Sequence, residues 1–262
     1  MALRFSAGLA SLRWFEIILN GSVLSPILIL VGIQLKSRIE IRSGTSPLPT
    51  LPPPSRPIRT CRLPGGTTYF PASQSNRLKL LVAITGASGA LYAQRLLDNL
   101  DPQAQEIHVV LSHYAQQVIA EELPGGLRLP EGARTHNVKS MNAPFASGSN
   151  PPDAMVVVPC TMGTLGRIAH GYSEDVLLRA ADVVLKEKRK LILVPRETPL
   201  SLVHLRNMEL LVQAGAILLP ANPSFYAQPK TVEAVVDTVV ARILDHLGVP
   251  NQLVPRWEEE RE

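Results

Sequence analysis

From Leu78 onward, five short runs of aliphatic and β-branched residues each stop abruptly at a glycine, a proline or a hydroxyl-bearing residue. They lie at residues 78–84, 107–111, 155–158, 191–194 and 217–219, separated by amphipathic stretches. A strand that is apolar on both sides must be covered on both sides, and the intervening stretches have the spacing of helices. The pattern predicts helices over 90–100, 113–122 behind a Ser112 cap, 164–170, 176–188, 202–214 and 231–247. In the last of these, Val232, Val235, Val236, Val239, Ile243 and Leu247 share one side. Alternating strand and helix specify an α/β fold. The expectation is a single doubly wound parallel sheet, Rossmann-like or flavodoxin-like, over residues 78–262.

Residues 1–77 differ in kind. They carry nine Lys or Arg against two Asp or Glu, whereas residues 78–262 carry 17 basic and 20 acidic side chains. The formal charge of +4 therefore originates in the extension, and the domain lacks the excess cations that a nucleic-acid backbone requires. No nucleic-acid partner is expected. Residues 17–35 are uncharged but interrupted by Asn20, Gly21, Ser22, Ser25 and Pro26. Prolines at 47, 49, 52, 53, 54, 57, 64 and 71 follow; they fix φ and remove donors, which predicts an extended, non-globular linker. Three readings stand for the extension. It is a targeting segment, poor in acids and containing Arg and Ser; or a membrane anchor, since 19 uncharged residues can just span a bilayer; or sequence upstream of a misplaced start. The domain is expected in the cytoplasm, or in the mitochondrion if the extension is a transit peptide.

Two cysteines, Cys61 and Cys160, make neither a disulfide framework nor a zinc site, and the six histidines show no ligand spacing. No protein-bound metal is expected.

In a doubly wound sheet, ligands sit outside the carboxyl ends of the strands. Each predicted strand end here carries polar or charged residues: 85–88, Ser112, 160–164, Arg196-Glu197 and 222–226. Gly86-Ala87-Ser88-Gly89 joins the first strand to its helix, where free N–H groups suit an anion. Its G-x-x-G spacing favours a mononucleotide over a dinucleotide, and a plain tight turn is the alternative. Thr161, Met162, Gly163 and Thr164 open another helix; their hydroxyls either hold a phosphate or ribityl chain or simply cap the helix. Cys160, with no evident base beside it, reads as a buried thiol.

Arg196-Glu197 stands between Pro195 and Pro199. Arginine clamps phosphate in bidentate fashion, and a neighbouring carboxyl can donate a proton; a surface ion pair is the plainer reading. Lys186 begins a charge run at a helix end, where cations suit the dipole. Arg242 lies at the margin of the last helix's apolar side.

Six stretches together closely resemble the UbiX-type flavin prenyltransferases: ITGASGALYAQRLL, ASGS at 146–149, VVVPCTMGTLGRIAHG, LLRAADVVLKEKRKLILVPRETPLSLVHLRNM, GAILLPANPSFYAQP and VVARILDHLG. RAADVVLKE followed by LVPRETP is the most specific. The resemblance spans nearly all of residues 78–257, and the extension has no counterpart in it. It implies a non-covalent FMN site made by Gly86, Ala87, Ser88, Ser112, Thr161, Met162, Gly163, Thr164 and Arg196. Dimethylallyl phosphate would meet Lys186, Tyr226, Arg242 and Arg179, and Glu197 would protonate the departing phosphate. Ser88, with Glu122 as relay, would manage the N5 proton of reduced FMN. The product, joined at N5 and then C6, is prenylated FMN, the cofactor of UbiD-type decarboxylases, which become the implied partner.

Members of this family assemble as dodecamers with sites at subunit junctions, so Tyr226 and Arg242 would serve a neighbour's flavin. No magnesium is implied, because side chains take the metal's part. The stretch 122–142 is shorter than the family pattern, which would reduce the helix over the flavin. A flavin-dependent decarboxylase of peptidyl or phosphopantothenoyl cysteine is similar around GTLGRIAHG, but it carries Pro-x-Met-Asn where this chain has Pro195-Arg196-Glu197. A non-catalytic FMN-binding regulatory subunit would lack the polar strand ends.

Overall fold

Alternation along the apolar runs builds two layers on one sheet. In β1 (Leu78–Ile84), Leu80, Val82 and Ile84 face one layer, and Leu81 and Ala83 face the other. The same division recurs in β4 (Ala154–Cys160), where Val156 and Met155 take opposite sides, and in β5 (Lys190–Pro195), where Ile192 and Leu193 do. All of these side chains are essentially inaccessible to solvent, and each one larger than alanine contributes about 1.5–3 kcal/mol of burial. The computed structural model describes residues 77–256, together with the backbone of a short antiparallel ladder, Ile18–Leu19 with Ser22–Val23. The other expectations for residues 1–76, including the proline stretch, lie outside the described residues. Among the described residues, no helix is long and apolar enough to cross a membrane.

Three further strands complete the sheet: β2 (Gln105–Leu111), β3 (Arg134–His136) and β6 (Ile217–Leu218). The order is β3-β2-β1-β4-β5-β6, and every pairing is parallel. This is the order of the doubly wound dinucleotide folds, and its direction reverses between β1 and β4. One face is covered by α1 (Ala90–Asp98), α2 (His113–Glu122) and α6 (Val232–Leu247). The other is covered by α3 (Met162–Ala169), α4 (Val176–Lys186) and α5 (Leu202–Gln213). A 2.6 Å ion pair between Arg95 and Asp237 ties α1 to α6.

Five helices begin on a side-chain cap: Ser112, Thr161, Asp175, Ser201 and Thr231 each accept a backbone N–H from three residues ahead. The Thr161 cap starts α3 two residues earlier than the sequence pattern predicts. The edge strand β3 is absent from that pattern altogether. Its three residues, Arg134-Thr135-His136, are polar and pair with β2 alone, so no apolar run marks them.

Candidate active site

The reversal of strand order brings three loops together at the carboxyl edge. The Gly86–Gly89 turn follows β1, the Thr161 cap follows β4, and Arg196-Glu197 follows β5. Arg196 Nε donates to Ser88 O at 3.0 Å, and its backbone N–H donates to Cys160 O at 3.3 Å. Ser112 joins from β2, its N–H bonded to Ile84 O at 3.0 Å.

Thr161 Oγ1 accepts from Thr164 N at 3.1 Å and donates to Thr164 Oγ1 at 2.9 Å, so capping and a polar lining come from the same hydroxyls. A Cβ at Gly163 would meet nothing within 4 Å, so the first turn of α3 is open on that side. At Gly86 a Cβ would lie 2.4 Å from Tyr114 Cβ; there the glycine admits α2 against the turn. An anion-binding helix start, a guanidinium and open backbone together suit a phosphate-bearing mononucleotide such as FMN.

Glu122 closes the floor of this edge. Its Oε2 accepts from Gly89 N and Ala90 N, and the nearby Ser88 hydroxyl also favours its ionised form. Burial pushes this carboxyl up, but those hydrogen bonds and the charge of Arg196 outweigh it, and the group is held below its ordinary value. Burial likewise raises the Tyr92 phenol against the opposing pull of Arg196. The Cys160 thiol is fully buried and pushed up to about 12, which makes it inert as a nucleophile.

Beside this junction, a cavity of about 330 Å³ is lined by Arg196, Glu197, Met208, Ala221 and Asn222, among others. Glu197 is exposed on its wall, and its Oε1 accepts from Thr198 N at 3.1 Å. After β6, the bond from Ser224 N to Thr238 Oγ1 (3.1 Å) pins the segment that carries Tyr226, which is 83% exposed.

Lys186 is placed elsewhere. It ends α4, four residues before β5 begins, and Lys190 Nζ bonds His246 O near the end of α6. Both helix ends therefore lie at the amino edge of the sheet. The length of β5, about 17 Å at roughly 3.3 Å per residue, separates that edge from Arg196. Arg179, Asp182 and Lys186 share one face of α4. Arg179 Nε donates to Ala146 O at 3.0 Å and pairs with Asp182 at 2.8 Å, while Lys186 pairs with Glu187.

The Ser147–Ser149 segment runs beside them. The Gly148 backbone lies directly against the ends of the Lys186 and Glu187 side chains. Arg242, 3.2 Å from Asp245, sits in the last turns of α6. One chain thus gathers Gly86, Ala87, Ser88, Ser112, Glu122, Thr161–Thr164, Arg196, Glu197 and Tyr226 at the carboxyl edge. Lys186 and Arg242 lie toward the other edge, with Arg179 along the face between. Sequence reasoning passed over Asp182, Glu187 and Gly148; the ASGS match and the (i, i+3, i+7) spacing on α4 were the available signals. Among the described residues, no three His, Cys, Asp or Glu gather closely enough to hold a metal ion.

Known proteins resemble this chain in sequence and fold. The Flavoprotein family model matches residues 70–244. Flavin prenyltransferase UbiX of Pseudomonas aeruginosa is 46% identical over 198 residues, covering 70% of this chain and 95% of that protein. The flavin prenyltransferase UbiX of Methanocaldococcus jannaschii is 46% identical over 182 residues, covering 69% and 98%. Among solved structures, the dodecameric FMN-dependent UbiX-like decarboxylase of Escherichia coli O157:H7 superposes with a TM-score of 0.66 at 44% identity, covering 69% of this chain and 99% of that one. AnUbiX (PadA1), solved with FMN and dimethylallyl pyrophosphate, gives 0.65 at 41% identity, covering 70% and 98%. Fold, strand-end residues and these identities agree: the chain belongs to the Flavoprotein family, and within it to the UbiX-type flavin prenyltransferases.

Proposed function

We propose that this chain transfers a dimethylallyl group from dimethylallyl phosphate to reduced FMN, first at N5 and then at C6, to make prenylated FMN. The observation that carries the reading is the meeting of the Gly86–Gly89 turn, the α3 start and Arg196-Glu197 at one switch point, in a chain 46% identical to flavin prenyltransferases. Reduced FMN supplies the nucleophilic ring positions. The protein has three tasks: to hold the flavin phosphate, to stabilise the phosphate that leaves the allylic carbon, and to keep water from the cation.

Arg196 and the first turn of α3 serve the first task. Glu197, on the cavity wall, donates a proton to the leaving phosphate. The Ser88 hydroxyl, next to the Glu122 carboxylate, is the group through which a proton moves at the flavin edge. Lys186 and Arg179 supply positive charge to the phosphate from a second copy, since no single chain brings them to Glu197.

An exposed apolar face is available to that second copy. On α5, Leu202, Val203, Leu205, Leu210 and Val212 are all exposed, with Leu202 at 68%. So many exposed apolar side chains on one helix need a partner, and the relative from E. coli is dodecameric. The same dodecameric assembly is the reading here. UbiD-type decarboxylases are the recipients of the product.

Anaerobic incubation of the protein with reduced FMN and dimethylallyl phosphate, followed by mass analysis of the extracted flavin, tests the proposal. The expected result is flavin heavier by one dimethylallyl unit, and a parallel arm with dimethylallyl diphosphate identifies the donor. Unmodified flavin in both arms would sink it.

A further inference from the structure

We infer that Thr85 is a positioning residue for flavin binding: its buried hydroxyl fixes the Thr161–Thr164 turn against the Gly86–Gly89 turn across the β1–β4 switch point. This rests on the flavin reading of the site. Thr85 is 1% exposed and packs at the end of β1. Its Oγ1 donates to Pro159 O at 2.8 Å and accepts from Thr161 N at 2.8 Å. Its own N–H reaches the same Pro159 carbonyl at 3.2 Å.

A hydroxyl is needed here because it both donates and accepts. The regular β1–β4 ladder ends at Ala83 opposite Val157, and β4 is irregular between Val157 and Cys160. Past that point a single backbone bond, Thr85 N to Pro159 O, joins the two strands. The Thr85 hydroxyl adds a second bond to that carbonyl and is the link that reaches on to Thr161 N.

What it holds is the cap of α3. Thr161 Oγ1 binds both Thr164 N and Thr164 Oγ1, so a shift of Thr161 carries the whole polar turn with it. On the other flank, Cys160 O accepts from Arg196 N, and Arg196 Nε returns to Ser88 O. Ser88 is three residues from Thr85, so the hydrogen bonds form a closed ring through all three strand-end loops. Opening a ring at one buried link changes how the loops face one another while leaving the layers beneath them intact.

The test compares Thr85→Val, Thr85→Ser and Thr85→Ala with the parent, in FMN titrations followed by flavin fluorescence and in anaerobic prenylation with each substrate varied. Thr85→Val keeps the shape but takes the partner from the half-buried Thr161 N–H, and it is expected to weaken FMN binding about tenfold. The KM for reduced FMN should rise in parallel, while the KM for dimethylallyl phosphate stays within about twofold. Thr85→Ser should keep the parent's FMN affinity. Parent-like FMN binding by Thr85→Val, or a Thr85→Ser variant as weak as Thr85→Val, overturns the inference. If Thr85→Val does not fold, Ser and Ala decide: both lack the methyl and differ only in the hydroxyl, so equal FMN affinity overturns it. A parent protein that bound no FMN would overturn the flavin reading as well, a result distinct from all of these.

Discussion

Glu122 Oε2 lies 2.8 Å from Gly89 N and 2.7 Å from Ala90 N, so the last residue of α2 caps the first turn of α1. Of the six α-helices among the described residues, α1 is the one whose N-cap residue offers no side-chain cap. Gly89, at φ 113°, lies in the left-handed region and has no side chain to offer. A carboxylate borrowed from 33 residues away satisfies two orphan donors and complements the helix dipole.

Replacing Glu122 with Gln keeps an acceptor but removes the charge, and it should cost about 1 kcal/mol of stability. The pH dependence has a definite sign. Glu122 is held below its ordinary 4.5 in the folded state, so its contribution is present above that value and lost as pH falls through the lower folded one. Thermal melts between about pH 5 and pH 3 should therefore show a shallower acid loss in Glu122→Gln than in the parent. Equal slopes would mean that the carboxylate is not ionised at this cap.

A second acid-sensitive contact joins β2 to β3. His108 Nδ1 and His136 Nε2 are 2.8 Å apart, with Phe145 edge-on to both rings. Glu106 Oε1 lies 3.3 Å from His108 Nε2, outside hydrogen-bond alignment, and also 3.3 Å from Arg134 Nη1. Burial lowers both imidazoles below 6.5. His136 and Arg134 push His108 further down against the opposing pull of Glu106, and Arg134 pushes His136 down. The unfolded chain therefore binds more protons in the window below 6.5, and stability should decline as pH falls through it. Melting temperature measured from about pH 7 to pH 5 should drop in the parent and less steeply in His136→Phe. A parent curve flat across that range would contradict the assignment.

The sequence discloses the central strands, the helix order and the loops at the carboxyl edge, because apolar runs and turn residues are local signals. It does not disclose β3, whose three polar residues are an edge strand only by pairing with β2. Nor does it disclose the cap by Glu122 or the His108–His136 contact, since each joins residues about 30 positions apart. The displacement of Lys186 was within reach of the sequence. A helix that ends just before a strand must end at the amino edge, and Lys186 precedes β5 by four residues.

Glu197→Gln should slow prenyl transfer by about 10²–10⁴-fold while leaving FMN affinity near that of the parent, because a carboxamide cannot give the phosphate its proton. Arg196→Ala should weaken FMN binding as well, since it removes both a cation and the link to Ser88 O. Single-turnover rates and flavin titrations separate the two effects. A Glu197→Gln protein that turned over at the parent rate would transfer the proton's origin to another group.

Removing residues 1–76 should leave a folded, active enzyme. The six-stranded sheet and both of its apolar layers are built from residues 78–253. Melting temperature and prenylation rate of the shortened chain check this, and loss of soluble protein would refute it.

The separation of Lys186 from Glu197 predicts complementation. Lys186→Met and Glu197→Gln should each be nearly inactive as pure assemblies. If the two groups meet only across a contact between copies, a mixed assembly contains sites in which one copy offers an intact Lys186 and the other an intact Glu197. Random mixing of equal amounts should then restore about a quarter of parental activity, the chance that both contributors to a site are intact. A chain carrying both substitutions, mixed with the parent, serves as the control. There a quarter of sites also keep both groups, so the two mixtures should match. Co-expression with differently tagged chains, followed by purification of the hybrids, makes the measurement direct. Activity no greater than that of the single variants would place both groups in one chain's site, and the length of β5 would then have to be bridged by a rearrangement of α4.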